Sequence, residues 1–289
     1  MGHQAHLRRF MADELEKLIE VKDVTYIYSE GSADEVKALS RVSFDVKKGE
    51  FIALIGHNGS GKSTLARLLN GLLLPTEGKI LVKGIETTAT HAKDIFAIRS
   101  SVGVVFQNPD NQMVASIIEE DVAFGPGNLG VDREELRKRV DEALGAVGMT
   151  DHKNGTPFKL SGGQKQRISI AGVLAMRPDV IVLDEATAML DPRGRKEIMQ
   201  VIRRLRSDYG TTIIMITHFT EEAALADRVI VLGSGEIIKD GPTGDVLTDI
   251  DGLEKVGLGA PLATRLARGL GIGEDRKIIS IEELGRALT

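Results

Sequence analysis

Gly56-His57-Asn58-Gly59-Ser60-Gly61-Lys62-Ser63 is a run whose residue types and spacing suit phosphate chemistry. Glycines let the backbone curl so that several N–H groups point inward. Lys62 carries a charge able to reach the β- and γ-phosphates of a nucleotide, and the Ser63 hydroxyl is a ligand for Mg²⁺. Phe51-Ile52-Ala53-Leu54-Ile55 before the run reads as a buried strand, and Thr64–Leu69 after it as a helix. That helix brings its positive end to the same spot. A plain glycine turn does not account for the lysine and the serine together. Gly56, His57, Asn58, Gly59, Ser60, Gly61, Lys62, Ser63 and Thr64 are therefore read as nucleotide-binding, His57 through its backbone alone.

Two further groups have chemical potential. Val180-Ile181-Val182-Leu183-Asp184-Glu185 is an apolar strand ending in paired carboxylates. A Mg·ATP site needs one carboxylate near the metal and another group to orient or deprotonate water. Asp184 is assigned to Mg²⁺ and Glu185 to the water. Ser161-Gly162-Gly163-Gln164 opens a second helix, with Ser161 as its N-cap and glycines that allow close approach of an anion.

The rest of the chain must position these groups. Its 289 residues suffice for one large or two modest domains, and a net charge of −5 gives no global pull toward nucleic acid. With no cysteine, disulfides and Cys-ligated zinc or iron–sulfur centres are excluded. No apolar run approaches the ~18 residues of a membrane span, so a soluble chain is expected, held at any membrane by another protein. Residues 1–17 read as a loose extension, with Met11 as a possible start. Half-buried strands are expected at Ile19–Tyr28 and Val42–Val46, further strands at Lys79–Val82 and Val102–Phe106, and a helical insertion over about 111–175. Then come strand Val180–Leu183, a charged helix Arg193–Asp208, strand Thr212–Thr217, helix Glu221–Ala226, and strands Val229–Leu232 and Glu236–Asp240. Residues 246–289 form a small appendage, with a helix through Leu262, Leu266 and Leu270 and a short strand at Ile278–Ile281.

The phosphate loop, Leu160-Ser161-Gly162-Gly163-Gln164 and Leu183-Asp184-Glu185, in this order, resemble an ABC-type nucleotide-binding domain over about residues 18–245. The resemblance implies an α/β fold. It has a RecA-like phosphate-loop NTPase core, an antiparallel β subdomain, a helical subdomain carrying the Ser-Gly-Gly-Gln signature, and here the C-terminal appendage. It implies ATP hydrolysis with Mg²⁺. Tyr28 matches the aromatic residue that stacks on adenine, with Tyr26 as runner-up. Gln107 matches the glutamine that touches Mg²⁺ and the water. Asp191 matches the loop that crosses the dimer, and His218 the histidine that senses the γ-phosphate. Glu185, His218, Gln107 and Lys62 are thus the expected catalytic set, and Ser63, Gln107 and Asp184 the expected metal set.

A narrower resemblance lies in Phe106–Gln112 and Val122-Ala123-Phe124-Gly125-Pro126. Both look like ATPase subunits of energy-coupling factor importers, which take up vitamins, cobalt or nickel. It implies a peripheral place on the cytoplasmic face of the membrane and three partners. These are a second ABC ATPase subunit, identical or paralogous, a transmembrane coupling subunit and a substrate-binding membrane subunit. The alternative is a soluble ABC ATPase of translation or DNA repair. Residues 100–131 hold Asp110, Glu119, Glu120 and Asp121 and no Lys or Arg. In the family this stretch borders the groove for the coupling helix, so a helix carrying basic residues is expected there.

Overall fold

The computed structural model describes residues 16–88, 91–272 and 276–289. Most of the expected N-terminal extension, Met11 included, lies outside them. The strands are β1 (Lys17–Tyr28), β2 (Val36–Lys47), β3 (Phe51–Ile55), β4 (Glu77–Val82), β5 (Ile85–Glu86), β6 (Val102–Val105), β7 (Val180–Asp184), β8 (Thr212–Thr217), β9 (Arg228–Gly233) and β10 (Glu236–Pro242). The helices are α1 (Lys62–Leu69), α2 (Ala92–Ser101), α3 (Ile118–Asn128), α4 (Arg133–Ala146), α5 (Gly162–Ala175), α6 (Pro192–Tyr209), α7 (Thr220–Ala223), α8 (Thr243–Leu247), α9 (Ile250–Lys255), α10 (Leu262–Gly269) and α11 (Ile281–Leu288).

A six-stranded sheet runs in the order β10-β9-β3-β8-β7-β6. β3 is parallel to both β8 and β9, β7 is parallel to β8 and β6, and β10 is antiparallel to β9. β3, β6, β7 and β8 are buried along their whole length, as apolar runs covered on both faces must be. Strand alternation divides the core in two. Phe51, Ala53 and Ile55 face a layer with Ile181, Leu183, Ile213, Met215 and the inner side of α6. Ile52 and Leu54 face the other layer, with Val180, Val182, Ile214, Ile216 and α1. That second layer is closed by an antiparallel sheet ordered β2-β1-β4-β5, through Ile19, Val21, Leu39 and Ile80. The α/β architecture with a phosphate loop, an antiparallel sheet and a helical insertion is the expected one.

The insertion contains α3, α4 and α5. Asp132 caps α4, its carboxylate accepting from the N–H groups of Glu134 and Glu135 at 3.1 Å. The acidic stretch is acidic along the chain but not in space. Lys165 of α5 donates to Asp110 at 2.6 Å, and the Asp121 carboxylate accepts from the N–H groups of Val114 and Ala115. Glu119 and Glu120 share a surface depression with Arg137 and Lys153.

Other departures have local causes. α2 was not expected; only Ile98 of it is buried, so it carries no clear apolar stripe. α7 is shorter than expected, because Leu225 and Ala226 donate to the carbonyls of Glu222 and Ala223, three residues back, and tighten its end. No strand forms at Ile278–Ile281. Ser280 and Glu283 make a reciprocal capping box, so Ile281 starts α11 instead. Ile278 is buried with Ala263, Ala267 and Leu284 in a small separate cluster. α10 exists as expected, but it buries Ala263, Thr264 and Ala267 and leaves Leu262 and Leu266 exposed. Val246, Leu247, Ile250, Leu253, Leu258 and Ala260 pack into the main core.

Candidate functional site

The chemistry gathers at the carboxyl ends of the parallel strands, where α/β sheets hold their ligands. β3 leads into the phosphate loop, β6 toward Gln107, β7 into Asp184 and β8 toward His218.

The loop is shaped by close approach. A side chain at Gly56 would collide with the Leu232 carbonyl, and one at Gly61 would come within 2.5 Å of the Ala38 carbonyl oxygen. Gly61, at φ 101°, is the N-cap of α1 and offers no side chain to the helix N-terminus. The first N–H groups of α1 are therefore left for a ligand. Lys62 lies within the curl, its Nζ donating to the carbonyls of Gly56 and His57, each at 2.9 Å. Burial holds its pKa below the ordinary lysine value, against the pull of Glu185 and Asp184. An ammonium held among carbonyls is available to a better anionic partner.

Ser63 Oγ donates to Asp184 Oδ1 at 2.9 Å. Asp184 is buried, and that desolvation raises its pKa above the ordinary carboxylate value despite the Ser63 hydrogen bond. Glu185 follows at φ 49°, a left-handed conformation unusual for a residue with a side chain. Its N–H donates to the Ile216 carbonyl at 3.0 Å, which ties it to β8. Its Oε1 is 3.9 Å from Lys62 Nζ and its Oε2 is 3.6 Å from His218 Nδ1. The His218 ring leans on Phe219, centroids 4.0 Å apart.

A cavity of about 460 Å³ is bounded by Tyr28, Lys37, Gly59, Lys62, Gln107 and Glu185, among others. Tyr28 hydrogen-bonds Thr64 Oγ1 at 3.1 Å and meets Tyr26 edge-on. Tyr26 packs against the core instead of lining this cavity. Val36, Lys37 and Ala38 also line it, and the sequence reading missed them. They arrive through β1–β2 pairing, with Tyr28 opposite Val36; several register shifts in that pairing conceal the match.

Ser161, Gly162, Gly163, Gln164 and Asp191 line a different cavity of about 530 Å³, which shares no lining residue with the first. Ser161 and Gln164 form a capping box on α5. The Asp191 carboxylate caps α6, accepting from the Gly194 N–H at 2.7 Å. One chain thus brings together the phosphate loop, Tyr28, Gln107, Asp184, Glu185 and His218. It keeps the signature and Asp191 apart from them. Among the described residues, no helix is long and apolar enough to cross a membrane.

A family model described as ABC transporter matches residues 39–188. A curated relative from Caldanaerobacter subterraneus subsp. tengcongensis, "Energy-coupling factor transporter ATP-binding protein EcfA1", is 51% identical over 92% of this chain and 97% of its own length. A protein of the same name from Clostridium novyi is 49% identical over 94% of this chain and 98% of its own length. Among solved structures, cbiO1 from Clostridium perfringens, described as part of the ABC transporter complex cbiONQ, is similar at TM-score 0.75 and 38% identity. The match covers 89% of this chain and all of that one. A dimeric ATP-binding cassette, MJ0796, bound to ADP and Pi after hydrolysis, is similar at TM-score 0.70 and 33% identity, over 78% of this chain and 98% of its own.

Proposed function

The chain belongs to the ABC transporter family, as the ATP-binding and ATP-hydrolysing subunit of an energy-coupling factor transporter, and we propose that two such subunits close around two ATP molecules to drive import of a vitamin or of cobalt or nickel. The observation that carries the dimer is the division of labour between two separate cavities. The phosphate loop and Glu185 line one cavity, and the signature and Asp191 line another. A second subunit, identical or paralogous, supplies the missing half. The dimeric form of the MJ0796 cassette supports this arrangement.

The residues present suit Mg²⁺. Ser63 Oγ and the Asp184 carboxylate meet at 2.9 Å, a pair of hard oxygen donors, with Gln107 lining the same cavity. When bound, Mg²⁺ neutralises charge on the phosphate oxygens. The protein's own groups do the remainder. The N–H groups of the loop and of α1 hold the phosphates, and Tyr28 offers a face to the base. Lys62 exchanges the carbonyls of Gly56 and His57 for phosphate oxygens. Glu185 orients a water for in-line attack on the γ-phosphorus and takes up its proton as the bond to the bridging oxygen breaks. His218 holds the γ-phosphate from the β8 side. Closure by the partner's Ser161–Gln164 excludes water and adds donors.

The chain is then a peripheral protein on the cytoplasmic face of the membrane. It binds a transmembrane coupling subunit, which in turn serves a substrate-binding membrane subunit. The names of its relatives weigh against the reading as a soluble ATPase of translation or repair. The test is purification of the tagged chain from its native membrane with identification of what accompanies it. Recovery of two membrane subunits and a second ATPase subunit is expected; recovery of ribosomes or DNA-repair proteins instead overturns the proposal.

A further inference from the structure

Glu222 is buried, 5% exposed, outside the nucleotide cavity. Its Oε1 accepts from Thr187 Oγ1 at 2.8 Å and its Oε2 accepts from Thr217 Oγ1 at 2.7 Å. Arg195 Nε lies 3.7 Å from Oε1, buried and without a hydrogen-bond partner. A buried carboxylate needs such company. Each contact leads to a working segment. Thr187 sits two residues after Glu185, in a turn where Ala188 donates to the Glu185 carbonyl and Leu190 to that of Thr187; Asp191 follows. Thr217 is the last residue of β8 and directly precedes His218, and its hydroxyl also accepts from the Phe219 N–H at 3.0 Å. Arg195 stacks on the Phe219 ring at 3.6 Å, the same ring on which His218 leans.

We infer that Glu222 is a positioning residue. By holding Thr187, Thr217 and Arg195 on one carboxylate, it sets Glu185 and His218 against each other and fixes the turn that leads to Asp191. Glu222 does not reach the cavity, so it acts on the reaction only through those neighbours. This inference rests on the roles proposed above for Glu185 and His218.

The two threonine hydroxyls are the separable parts. Thr187→Val keeps shape and removes the hydrogen bond to the Glu185 segment; Thr187→Ser restores it. The experiment measures ATP turnover and, separately, nucleotide affinity of the full chain assembled with its membrane partner. Thr187→Val and Glu222→Ala are each expected to lower kcat by about ten- to a hundredfold, the scale on which misplacement by about 1 Å acts. The KM for ATP should move by less than about twofold, because ground-state phosphate contacts remain. Thr187→Ser should recover most of the loss. The double variant Thr187→Val/Glu222→Ala should be no slower than the worse single one, since both cut the same link. A change in KM with kcat unaltered, or wild-type kcat in a folded, ATP-binding Thr187→Val, overturns the inference, and Thr187→Val decides it even if Glu222→Ala does not fold. Glu185→Gln and His218→Ala are run alongside. If they turn over at the wild-type rate, the underlying site reading fails and this inference falls with it. If they are slow and Thr187→Val is not, this inference alone fails.

Discussion

Lys62 Nζ and Glu185 Oε1 stand 3.9 Å apart, with side chains 4% and 14% exposed. An ammonium and a carboxylate thus stand at ion-pair distance on the lining of one cavity. Shielding from solvent makes that field stronger than the same pair would have on a surface. The two charges have opposite tasks, one to hold the phosphate and one to handle water, and they can be separated by substitution.

Glu185→Gln keeps the shape and the left-handed backbone while removing the base. ATP should bind as in the wild type, and turnover should fall by about 10²–10⁴-fold, the usual contribution of a general base. The variant should accumulate as an ATP-bound dimer. Steady-state phosphate release and size-exclusion chromatography with ATP check both.

Lys62→Ala removes the cation and leaves the carbonyls of Gly56 and His57 without their donor. Affinity for ATP should drop by roughly 10–100-fold, corresponding to about 1.5–3 kcal/mol for a hydrogen bond to a charged group. Equilibrium titration with a fluorescent ATP analogue measures it. An affinity equal to the wild type refutes the role.

Ser161→Arg should leave ATP affinity of its own chain intact and stop hydrolysis at the partner's phosphate loop. In dimers carrying Lys62→Ala on one chain and Ser161→Arg on the other, both lesions fall on the same composite site, and one intact site remains. Such dimers should outpace dimers with both sites damaged. Equal rates would contradict sites that are shared across the dimer and work independently.

Asp184→Asn should stabilise the nucleotide-free chain. Burial raises the Asp184 pKa, so the folded state holds this proton more tightly than the unfolded chain does. Stability from this group is therefore lost as pH rises from the ordinary carboxylate value through the folded value, and at neutral pH the buried charge is a cost. Asparagine keeps an acceptor for Ser63 without that charge. The nucleotide-free Tm at pH 7 should rise while Mg²⁺-dependent turnover falls; a lower Tm would show that the carboxylate stabilises the loop.

Asp110→Lys sets two cations side by side, because Asp110 already pairs with Lys165. Copurification of the membrane subunit should weaken, more so at low salt, where exposed charges act over a Debye length above ~10 Å. The swap Asp110→Lys with Lys165→Glu restores the internal pair. Recovery of assembly by the swap would place the effect in that pair; continued weakness would place it in a basic partner surface.

Legibility followed locality. Gly56–Ser63 and Ser161–Gln164 stand out in the sequence because each is a continuous run, and each lines a cavity. The start of α5 falls where expected for the same reason, since Ser161 and Gln164 carry their own cap. Residues placed by strand register were not readable: Lys37 reaches the cavity only through β1–β2 pairing, whose register shifts do not show in the sequence. Glu222 had no signal, since a glutamate on a short helix reads as solvated until Thr187 and Thr217 are seen around it. The Ile278–Ile281 stretch misled by composition, because β-branched residues make a strand only where another strand can receive them.

β3 lies between β8 and β9, so Phe51 waits for Ile213 and Ile52 for Arg228 before either edge is paired. At a synthesis rate of about 5–20 residues per second, the central strand leaves the ribosome roughly 10–35 seconds before its neighbours. Throughout that interval an all-apolar strand has two open edges. A nascent chain ending before Thr212 lacks the neighbouring strand that frames the phosphate loop, so nucleotide binding during translation would report that the chain has emerged and folded at least through β8. ATP would then act as a ligand that selects molecules in which β3 is paired, and those lacking β8 would remain exposed to chaperones and proteases.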